Sequence, residues 1–547
     1  MTLNKKWPKT VQLLLLFVVL LLAFGCAVPQ KPQGGPRDIL PPKLLLATPA
    51  NQTRNFTGKQ IKLDFDEYFK LNNPYQEITI SPTQEGTPDY RIKQKSLIIT
   101  LRDTLQKNTT YVINFGKAVL DVNEGNQLKN FTYVFSTGPY IDSLSISGNV
   151  TNDFSLDKQK DVSVLLFTQK QDSLLFGKKK PPIFTSTDTS GNFTLGNLHS
   201  GTYKLYALKE TTPDRIYNNE NELIGFPTKT ITLTKDTSGV NLHLFKQVPV
   251  KFRLIDHRFD VDGKILLTFN RRLEKPALRI ISSSALNDQK FVEFTPTKDT
   301  AYVYMRSMDF DSLKIAVLDN NKPLDTATLR KGRKETFVHT IAMYTNADAG
   351  NLIKPGNNLE ILTNTPLTAV LKSLITLKQD STIVTNFTIL RDTGNTKRFS
   401  IRYPWRQNAT YLLTFSEGAL TGFFGEKNKV ANKRFSLDKP DNYSLLTLKI
   451  SVPDTARSYI VELLNETANV LRTDVIKKNA SLDYRNYLVG KYKVRVTYDT
   501  NRNGKWDSGS LKENRQPEHV WIDPKLMTLR PNFDIEETVD IPPEPTP

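Results

Sequence analysis

Cysteine is almost absent from this chain, because Cys26 is the single one among 547 residues. Beyond that position there is no thiol, which excludes disulfides and thiolate chemistry from the rest of the sequence. The five histidines show no H-E-x-x-H spacing and none stands near a cysteine, so common zinc motifs are absent. Nucleophile-elbow, P-loop and dinucleotide-binding glycine patterns are also missing. We therefore expect a protein that is not an enzyme, although the numerous carboxylates leave a glycosidase-type pair open.

Helix-forming patterns are equally scarce. Apolar residues recur with a period of two, as in 60–65 and 111–115, and no segment shows a sustained helical period with caps. Thr, Val, Ile, Phe and Tyr are abundant whereas Ala and Met are few, which favours strands. After residue 24 no apolar run approaches the ~20 residues of a membrane-spanning helix. A chain of this length exceeds one core and suits four to six domains of ~100 residues.

The one cysteine follows a segment with the composition of an export signal. Lys5, Lys6 and Lys9 precede an apolar run at 11–24, which is too short to span a bilayer. Together with Cys26, this arrangement resembles a bacterial lipoprotein signal, in which the cysteine is acylated and becomes the first residue of the mature chain. An ordinary secretory signal with a chance cysteine is the alternative interpretation.

The lipoprotein resemblance implies a signal peptide over residues 1–25 and lipid attachment at Cys26. Residues 26–43 contain five prolines and little that could bury a core, so they are predicted to form an extended tether. The string 34–42 resembles the start of a group of Bacteroidota lipoproteins that carry Ig-like domains. We expect anchoring in the outer membrane, on either its periplasmic or its surface face.

The charge balance is strongly basic, with a formal net charge of +18 and a pI near 9.5. A basic exterior could meet nucleic acid, anionic lipid or polyanionic glycan. Lys and Arg are spread along the chain, and the densest cluster, 178–180 before two prolines, is typical of a solvated loop. Because an exported lipoprotein rarely meets nucleic acid, we expect no nucleic-acid partner.

Residues 44–139 contain a set of short motifs. Residues 108–111, Asn-Thr-Thr-Tyr, precede an apolar strand, 121–126 form a loop rich in Asp, Asn and Gly, and Phe-Ser-Thr at 135–137 closes the segment. This set resembles the bacterial Ig-like domain first described in surface-layer proteins, with its L-x-x-x-T-x-Y turn, D-x-x-G-N loop and terminal F-S/T-T strand. The resemblance implies a β-sandwich. Tyr111 can offer both its ring and its hydroxyl to the corner where two sheets meet.

The same outline recurs at 344–439. There Asn-Ala-Thr-Tyr at 408–411 matches the first copy, while the loop at 421–425 lacks the aspartate. Residues 248–343 are interpreted as a third β-sandwich and a degenerate Ig-like copy, because 264–270 matches one of the Ig-like strands.

Residues 140–247 follow a different pattern. Asp188 to Gly191 suits a hairpin turn, and Gly-Thr-Tyr at 201–203 begins the next strand. This pattern resembles the carboxypeptidase-regulatory or collagen-adhesin B-type fold, which is a transthyretin-like sandwich. Residues 440–547 contain part of the same pattern, in which Gly-Lys-Tyr at 490–492 corresponds to Gly-Thr-Tyr at 201–203. A short Pro-rich tail follows. The sequence therefore predicts an all-β tandem array of Ig-like and transthyretin-like β-sandwiches after a lipoprotein signal peptide.

One string matches the first part of a calcium loop, with oxygen ligands at positions 1, 3, 5 and 9 and a glycine at position 6. The candidate ligands are Asp499, Asn501, Asn503, Lys505 through its carbonyl, and Asp507. Position 12 is Ser510, so a distal carboxylate would have to come from elsewhere, and Glu513 is the nearest. With two charged ligands the affinity should be weak, about 10⁻⁴ to 10⁻³ M. A hairpin tip with Asx turns explains the same residues and stays open as the alternative.

Asp followed by Ser or Thr recurs along the chain and resembles the O-glycosylation acceptor of exported Bacteroidota proteins. The candidate acceptors are Thr104, Ser143, Ser173, Thr300, Ser312, Thr326, Ser381 and Thr455. Such dipeptides also make good turns, which is an equally weighted interpretation.

The anchor, the sandwiches and the missing catalytic motifs together indicate a function. We expect a lipid-anchored structural or binding protein of the cell envelope, which presents a multi-domain β-sandwich arm to a protein or glycan partner. The alternative is a carbohydrate-processing or glycan-binding accessory protein with a degenerate catalytic unit in 248–340. An open sandwich without a cleft in that segment would favour the arm.

Overall fold

A computed structural model describes residues 8, 10, 38–82, 86–169, 175, 181, 183–212, 214–332, 336–347, 350–531 and 533–545. Within these residues the chain forms 43 strands, two α-helices of four and five residues, and two 3-10 turns, so the predicted all-β class is confirmed. Residues 1–143 with 197–199 form one compact unit, and 144–196 with 200–547 form a second. None of the described helices is long and apolar enough to cross a membrane.

The first unit contains one sandwich. Its elements are β1 (Leu44–Thr48), β2 (Gln60–Phe65), β3 (Phe69–Leu71), α1 (Pro74–Glu77), β4 (Thr79–Ser81), β5 (Asp89–Lys93), β6 (Ser96–Thr100), β7 (Thr110–Asn114), β8 (Val119–Asp121) and β9 (Thr132–Ser136). One sheet has the order β1-β2-β6-β5 and the other β4-β7-β9, while β3 pairs with β8. The alternating apolar residues of both sheets meet in one core.

The second sandwich begins the second unit. Its strands are β10 (Leu144–Asn152), β11 (Ser163–Thr168), β12 (Ile183–Ser186), β13 (Asn192–Leu198), β14 (Gly201–Lys209), β15 (Leu223–Gly225), β16 (Ile231–Leu233) and β17 (Thr237–Lys246). The order is β12-β11-β14-β15-β17-β10-β13, and β16 also pairs with β14. β15 therefore connects the half that contains β12, β11 and β14 with the half that contains β17, β10 and β13.

The third sandwich has seven strands and one helix. They are β18 (Leu254–Phe259), β19 (Ile265–Phe269), β20 (Pro276–Ile280), α2 (Ser284–Asp288), β21 (Lys290–Phe294), β22 (Thr300–Met305), β23 (Ser312–Asp319) and β24 (Lys322–Arg330). The sheets have the orders β18-β19-β22-β21 and β20-β23-β24.

The fourth sandwich has eleven strands and a 3-10 turn, Lys372–Leu374. The strands are β25 (Met343–Thr345), β26 (Leu352–Ile353), β27 (Leu359–Thr363), β28 (Leu367–Val370), β29 (Ile375–Gln379), β30 (Thr382–Val384), β31 (Thr388–Arg391), β32 (Arg398–Arg402), β33 (Thr410–Phe415), β34 (Leu420–Gly422) and β35 (Ala431–Leu437). The sheets are β25-β27-β32-β31 and β26-β35-β33-β29-β30, and β28 pairs with β34.

The fifth sandwich follows a second 3-10 turn, Pro440–Asn442. Its strands are β36 (Tyr443–Ser451), β37 (Ser458–Asn465), β38 (Val470–Ile476), β39 (Ala480–Leu488), β40 (Gly490–Asp499), β41 (Val520–Ile522), β42 (Met527–Leu529) and β43 (Asp534–Asp540). The sheets are β39-β36-β43 and β38-β37-β40-β41, with β42 also on β40.

Strand order divides the five sandwiches into two types. In the first, third and fourth, a sheet of four strands faces a sheet built around three strands in equivalent order. The second and fifth share an eight-strand plan in which the first strand pairs in parallel with the last. Their Gly-x-Tyr motifs occupy the same register, since Gly201 and Tyr203 pair with β16 as Gly490 and Tyr492 pair with β42.

The Asn-x-Thr-Tyr motif marks the same corner in the first and fourth sandwiches. Asn108 and Asn408 have left-handed backbone conformations, which asparagine tolerates better than most residues. Tyr111 and Tyr411 are the second residues of the strands that follow, and each is fully buried. Each hydroxyl accepts a hydrogen bond from the backbone N–H five residues earlier, at 2.9 Å and 2.7 Å. This is the geometry of a tyrosine corner.

Candidate functional site

The sequence-predicted calcium loop lies at the base of a long connection, residues 500–519, between β40 and β41. Asp499 ends β40 and its side chain is fully buried. One of its carboxylate oxygens accepts the Asn503 N–H at 3.0 Å and the other accepts the Gly504 N–H at 2.9 Å. Gly504 has a φ of +74°, a conformation that glycine adopts without strain. The carboxylate of Asp499 therefore organises the first turn of the loop.

The other predicted ligands lie in the same turn. The side-chain amides of Asn501 and Asn503 both donate to Oδ2 of Asp507 at 2.5 Å. The backbone N–H of Lys505 donates to Oδ1 of Asn503 at 2.8 Å. The side chains of Asn501, Asn503 and Asp507 are thus brought together, with nitrogens of the amides towards the carboxylate. An amide presents its oxygen instead after a half-turn of its last torsion.

Glu518, and not the sequence-predicted candidate Glu513, is the carboxylate that closes this loop by hydrogen bonds. Glu518 accepts the N–H of Thr500 at 2.8 Å and that of Asp507 at 3.0 Å, which joins the two ends of the connection. Burial raises the pKa of Glu518, and the charges of Asp507 and Asp499 add to the effect. Glu513 is exposed and pairs with Arg515 at 3.2 Å. Its position three residues beyond Ser510 carries it away from the base of the loop.

Across the described ranges, no three Asp, Glu, His or Cys side chains are grouped so that they could hold a metal ion. The carboxylate of Asp499 instead accepts two backbone N–H groups in an Asx-turn arrangement, and that of Glu518 accepts the more distant N–H groups of Thr500 and Asp507. β40 and β41 pair as a hairpin, and the turn at 499–507 lies at its base and not at its tip, because the connection continues for about a dozen residues beyond this turn before β41 begins.

The tip of the connection, residues 506–516, docks on the second sandwich. Four polar groups of the tip form hydrogen bonds with that sandwich: Ser508 Oγ with Lys246 O, Leu511 N with Gln247 Oε1, Asn514 Nδ2 with Thr228 O, and Gln516 Nε2 with Phe226 O. Three of the four acceptors are backbone carbonyls. The loop therefore depends on the path of the second sandwich's backbone more than on its side chains.

Apolar packing accompanies these hydrogen bonds. Trp506 and Leu511 pack against the cluster that includes Leu165, Phe167 and Phe226 of the second sandwich. The Trp506 ring also meets Phe154 edge-on, with centroids 5.5 Å apart. Both faces of β11 are consequently covered, and Val164 to Phe167 are all buried.

Two charged groups lie buried at this joint. The Arg495 guanidinium lies 3.6 Å above the Phe154 ring and pairs with Glu462 at 2.7 Å. Asp153 is also buried, and its Oδ2 has no hydrogen-bond partner in the described part of the chain. Burial raises the pKa of Asp153 to about 7, since a nearby indole of Trp506 offsets only part of the desolvation.

Each sandwich of the second unit also contacts the next one along the chain. The second meets the third through Glu220 and Arg253, 2.7 Å apart. The third meets the fourth through Glu293 and Lys397, also 2.7 Å apart. In the fourth-to-fifth contact, Asn486 donates to the backbone carbonyl of residue 355 at 3.0 Å. Since residues 506–516 join the fifth to the second, the four sandwiches form a closed set of contacts and not a string of independent modules.

The acceptor-like Ser and Thr residues lie mostly on the surface. Thr104, Ser143, Ser312, Thr326, Ser381 and Thr455 are exposed, and Thr300 is half-buried. The preceding aspartates also form hydrogen bonds of their own, since Asp454 accepts the Ala456 N–H within a turn and Asp103 accepts the N–H of the distant Gly86. Cys26 and Ser173, together with the tether before residue 38, lie outside the described residues, so these predictions stay predictions.

Sequence reasoning missed the docking tip. A continuous apolar run, Val164 to Phe167, was the available signal, because a strand exposed on one face alternates whereas one covered on both faces does not. A tryptophan inside a long polar connection, Trp506, was a second signal.

Comparison with known proteins decides the identity of the first sandwich. Residues 38–137 match the family model of the bacterial Ig-like domain. The first sandwich is Ig-like. This confirms the resemblance drawn from Tyr111, the Asp121 loop and the closing Phe-Ser-Thr. No curated protein matches the chain.

Solved structures that resemble the chain do so at low identity. The major pilin subunit BcpA of Bacillus cereus is 11% identical, covers 73% of this chain and 99% of its own, and has a TM-score of 0.14. The Bacillus anthracis TIE protein is 9% identical, with coverages of 98% and 79% and a TM-score of 0.14. The S-layer protein rSbsC is 11% identical, with coverages of 89% and 67% and a TM-score of 0.15. Scores this low support no argument about the arrangement or the function of the whole chain.

Proposed function

We propose that this chain is a non-catalytic component of the bacterial cell envelope, anchored in the outer membrane by a lipid on Cys26. In this role it presents a β-sandwich scaffold to a protein or glycan partner. The docking of residues 506–516 on the second sandwich carries the proposal, because it joins the fifth sandwich to the second and so ties together the four sandwiches of the second unit. A scaffold that holds a partner in a defined position needs such ties, since separate domains on short linkers move independently.

A catalytic role for residues 248–340 has less support. The interior of the third sandwich is filled by apolar side chains of both sheets, among them Ile265, Phe269, Val303 and Ile315. Binding pockets for substrates are concave and combine apolar walls with a few placed polar groups. The filled interior favours the scaffold over a degenerate catalytic unit, and the cleft of about 1000 Å³ that this segment helps to line lies at its edge, beside Asp507 of the fifth sandwich.

Replacing Cys26 with serine should move the protein out of the membrane fraction or leave it as an uncleaved precursor, because serine offers no thiol for acylation. Fractionation of cells and the mass of the product measure both outcomes. Ala27→Ser is the matched control and should remain membrane-bound. Mature Cys26→Ser protein in the membrane fraction would contradict the anchor. Cross-linking the wild-type protein before solubilisation would then identify what co-purifies with it.

We also propose weak calcium binding by Asp499, Asn501, Asn503, Lys505 and Asp507. The proposal is supported by the position of these residues in one loop and by the glycine at its sixth position. Calcium there would stiffen the base of the connection that carries the docking tip.

If calcium binds with a Kd of about 1 mM, calcium at ~5 mM should stabilise the folded chain by about 1 kcal/mol. Calorimetric melting of residues 27–547 with calcium, and with magnesium at equal ionic strength, would show a calcium-specific rise in Tm. The rise should vanish in Asp499→Ala. If the wild-type Tm does not change, or if the change persists in Asp499→Ala, the Asx-turn interpretation holds instead.

A further inference from the structure

A cavity of about 680 Å³ lies where the docking tip meets the second sandwich. Its apolar surface includes Tyr206 and Phe226, which are both buried, and Leu511 from the tip. Asn514 stands at its edge and donates to the carbonyl of Thr228. The cavity is therefore completed by docking, because neither the second sandwich nor the tip encloses it alone.

The charged groups around this cavity all have one sign. Lys204, Lys229 and Lys512 line it, and no Asp or Glu is found among its described lining residues. Lys229 and Lys512 are exposed and form no hydrogen bond or ion pair with a described residue. Three like charges around a low-dielectric recess produce a positive potential that favours an anion.

A second cleft, of about 1000 Å³, shows what makes the first distinctive. It lies beside the calcium-loop candidate and is lined by charges of both signs, including Arg253, Arg272, Glu220, Glu274 and Asp507. Glu220 already pairs with Arg253 at 2.7 Å. Mixed and internally paired charges select no sign of ligand, whereas the smaller cavity carries only positive charges, of which Lys229 and Lys512 form no such pair with a described residue.

We infer that the smaller cavity binds an amphipathic anion, with the anionic group at the lysines and an apolar body against Tyr206, Phe226 and Leu511. Its volume is within the usual range of small-molecule sites, about 300 to 1000 Å³. Lysines suit carboxylate, sulfate or phosphate head groups as mobile point charges. The inference goes beyond the proposed envelope role and does not depend on the lipid anchor.

Titration calorimetry of residues 27–547 with octanoate tests the inference, with 1-octanol and inorganic phosphate as separate probes. Octanoate should bind with one site per chain, more tightly than either probe. The double variant Lys229→Gln, Lys512→Gln should weaken octanoate binding about tenfold, because each lysine contributes a solvent-screened attraction. Lys235→Gln is the matched control, since this exposed lysine lies on the same sandwich and does not line the cavity.

Several results would overturn the inference. Absence of octanoate binding refutes the site, and equal binding by the double variant refutes the role of the lysines. Equal affinity for 1-octanol shows that the charge is not recognised, and equal affinity for phosphate shows that the apolar body is not. Loss of octanoate binding in Trp506→Ala would support a cavity completed by docking. Cell fractionation of Cys26→Ser reports separately on the envelope role, so either proposal can fail alone.

Discussion

Replacing Tyr111 with alanine should lower the free energy of unfolding of the first sandwich by about 3 to 4 kcal/mol. The ring is fully buried and stacks on Phe135, with centroids 5.2 Å apart and planes 11° from parallel. Alanine leaves a cavity in the core and removes the acceptor for the Gln106 N–H. Denaturant unfolding of residues 38–143 measures the loss.

Tyr111→Phe separates the contribution of ring packing from that of the hydrogen bond, because it keeps the ring and removes only the hydroxyl. We expect a loss of about 1 kcal/mol, the usual magnitude for one hydrogen bond. Tyr411→Ala should repeat the large effect in the fourth sandwich, since Tyr411 stacks on Phe435 at 5.4 Å with the same hydroxyl contact. A loss below about 1 kcal/mol for Tyr111→Ala would mean that the corner does not contribute to stability.

Replacing Trp506 with alanine should release the docking tip from the second sandwich while the fifth sandwich stays folded. Trp506 is half-buried, so we expect the docked state to lose about 2 kcal/mol, less than for a fully buried tryptophan. That loss raises the undocked population roughly thirtyfold, because 1.4 kcal/mol corresponds to a factor of ten. Limited proteolysis with trypsin measures the undocked population. Lys512 and Arg515 lie in the tip, and cleavage after them requires undocking.

Trp521→Ala is the matched control for the docking experiment. Trp521 lies on β41 and packs against the core of the fifth sandwich itself. Loss of the Trp521 side chain should increase trypsin cleavage throughout the fifth sandwich, and cleavage in the tip should not increase more than elsewhere. If Trp506→Ala leaves the rate of cleavage after Lys512 and Arg515 unchanged, the tip does not depend on this side chain for docking.

The third sandwich has the strand order of the first and fourth but lacks their tyrosine motif. At the register position where Tyr111 faces Phe135 and Tyr411 faces Phe435, the third sandwich pairs Leu313 with Leu329. Two leucines fill the core without the ring and hydroxyl that make the corner visible as a motif. Strand order is retained because burial of alternating apolar residues needs no particular aromatic.

The loop at Asp121 in the first sandwich gives a second example, at a polar position, of a structural role that different residues fill in different sandwiches. In the first sandwich Asp121 accepts three backbone N–H groups, from residues 124 to 126. These donors outweigh the burial that opposes ionisation, so the pKa of Asp121 is lowered. In the fourth sandwich, where the aspartate is missing, the buried Asn428 accepts the Leu420 N–H and donates to two carbonyls. In the fourth sandwich a different residue type at a different position forms the hydrogen bonds of the loop backbone. A motif that specifies an aspartate cannot detect this replacement.

The sequence by itself determined the all-β class, the Ig-like character of the first sandwich and the turn at Asp499 to Gly504. These features depend on neighbours a few residues apart, through period-two alternation, side-chain caps and glycine conformations. Only the tertiary structure decided that residues 506–516 dock on the second sandwich and that three lysines surround one cavity. Those features join residues more than 250 positions apart, such as Leu511 and Gln247. No local pattern encodes such a pairing, because it arises when separately folded sandwiches bury surface against each other.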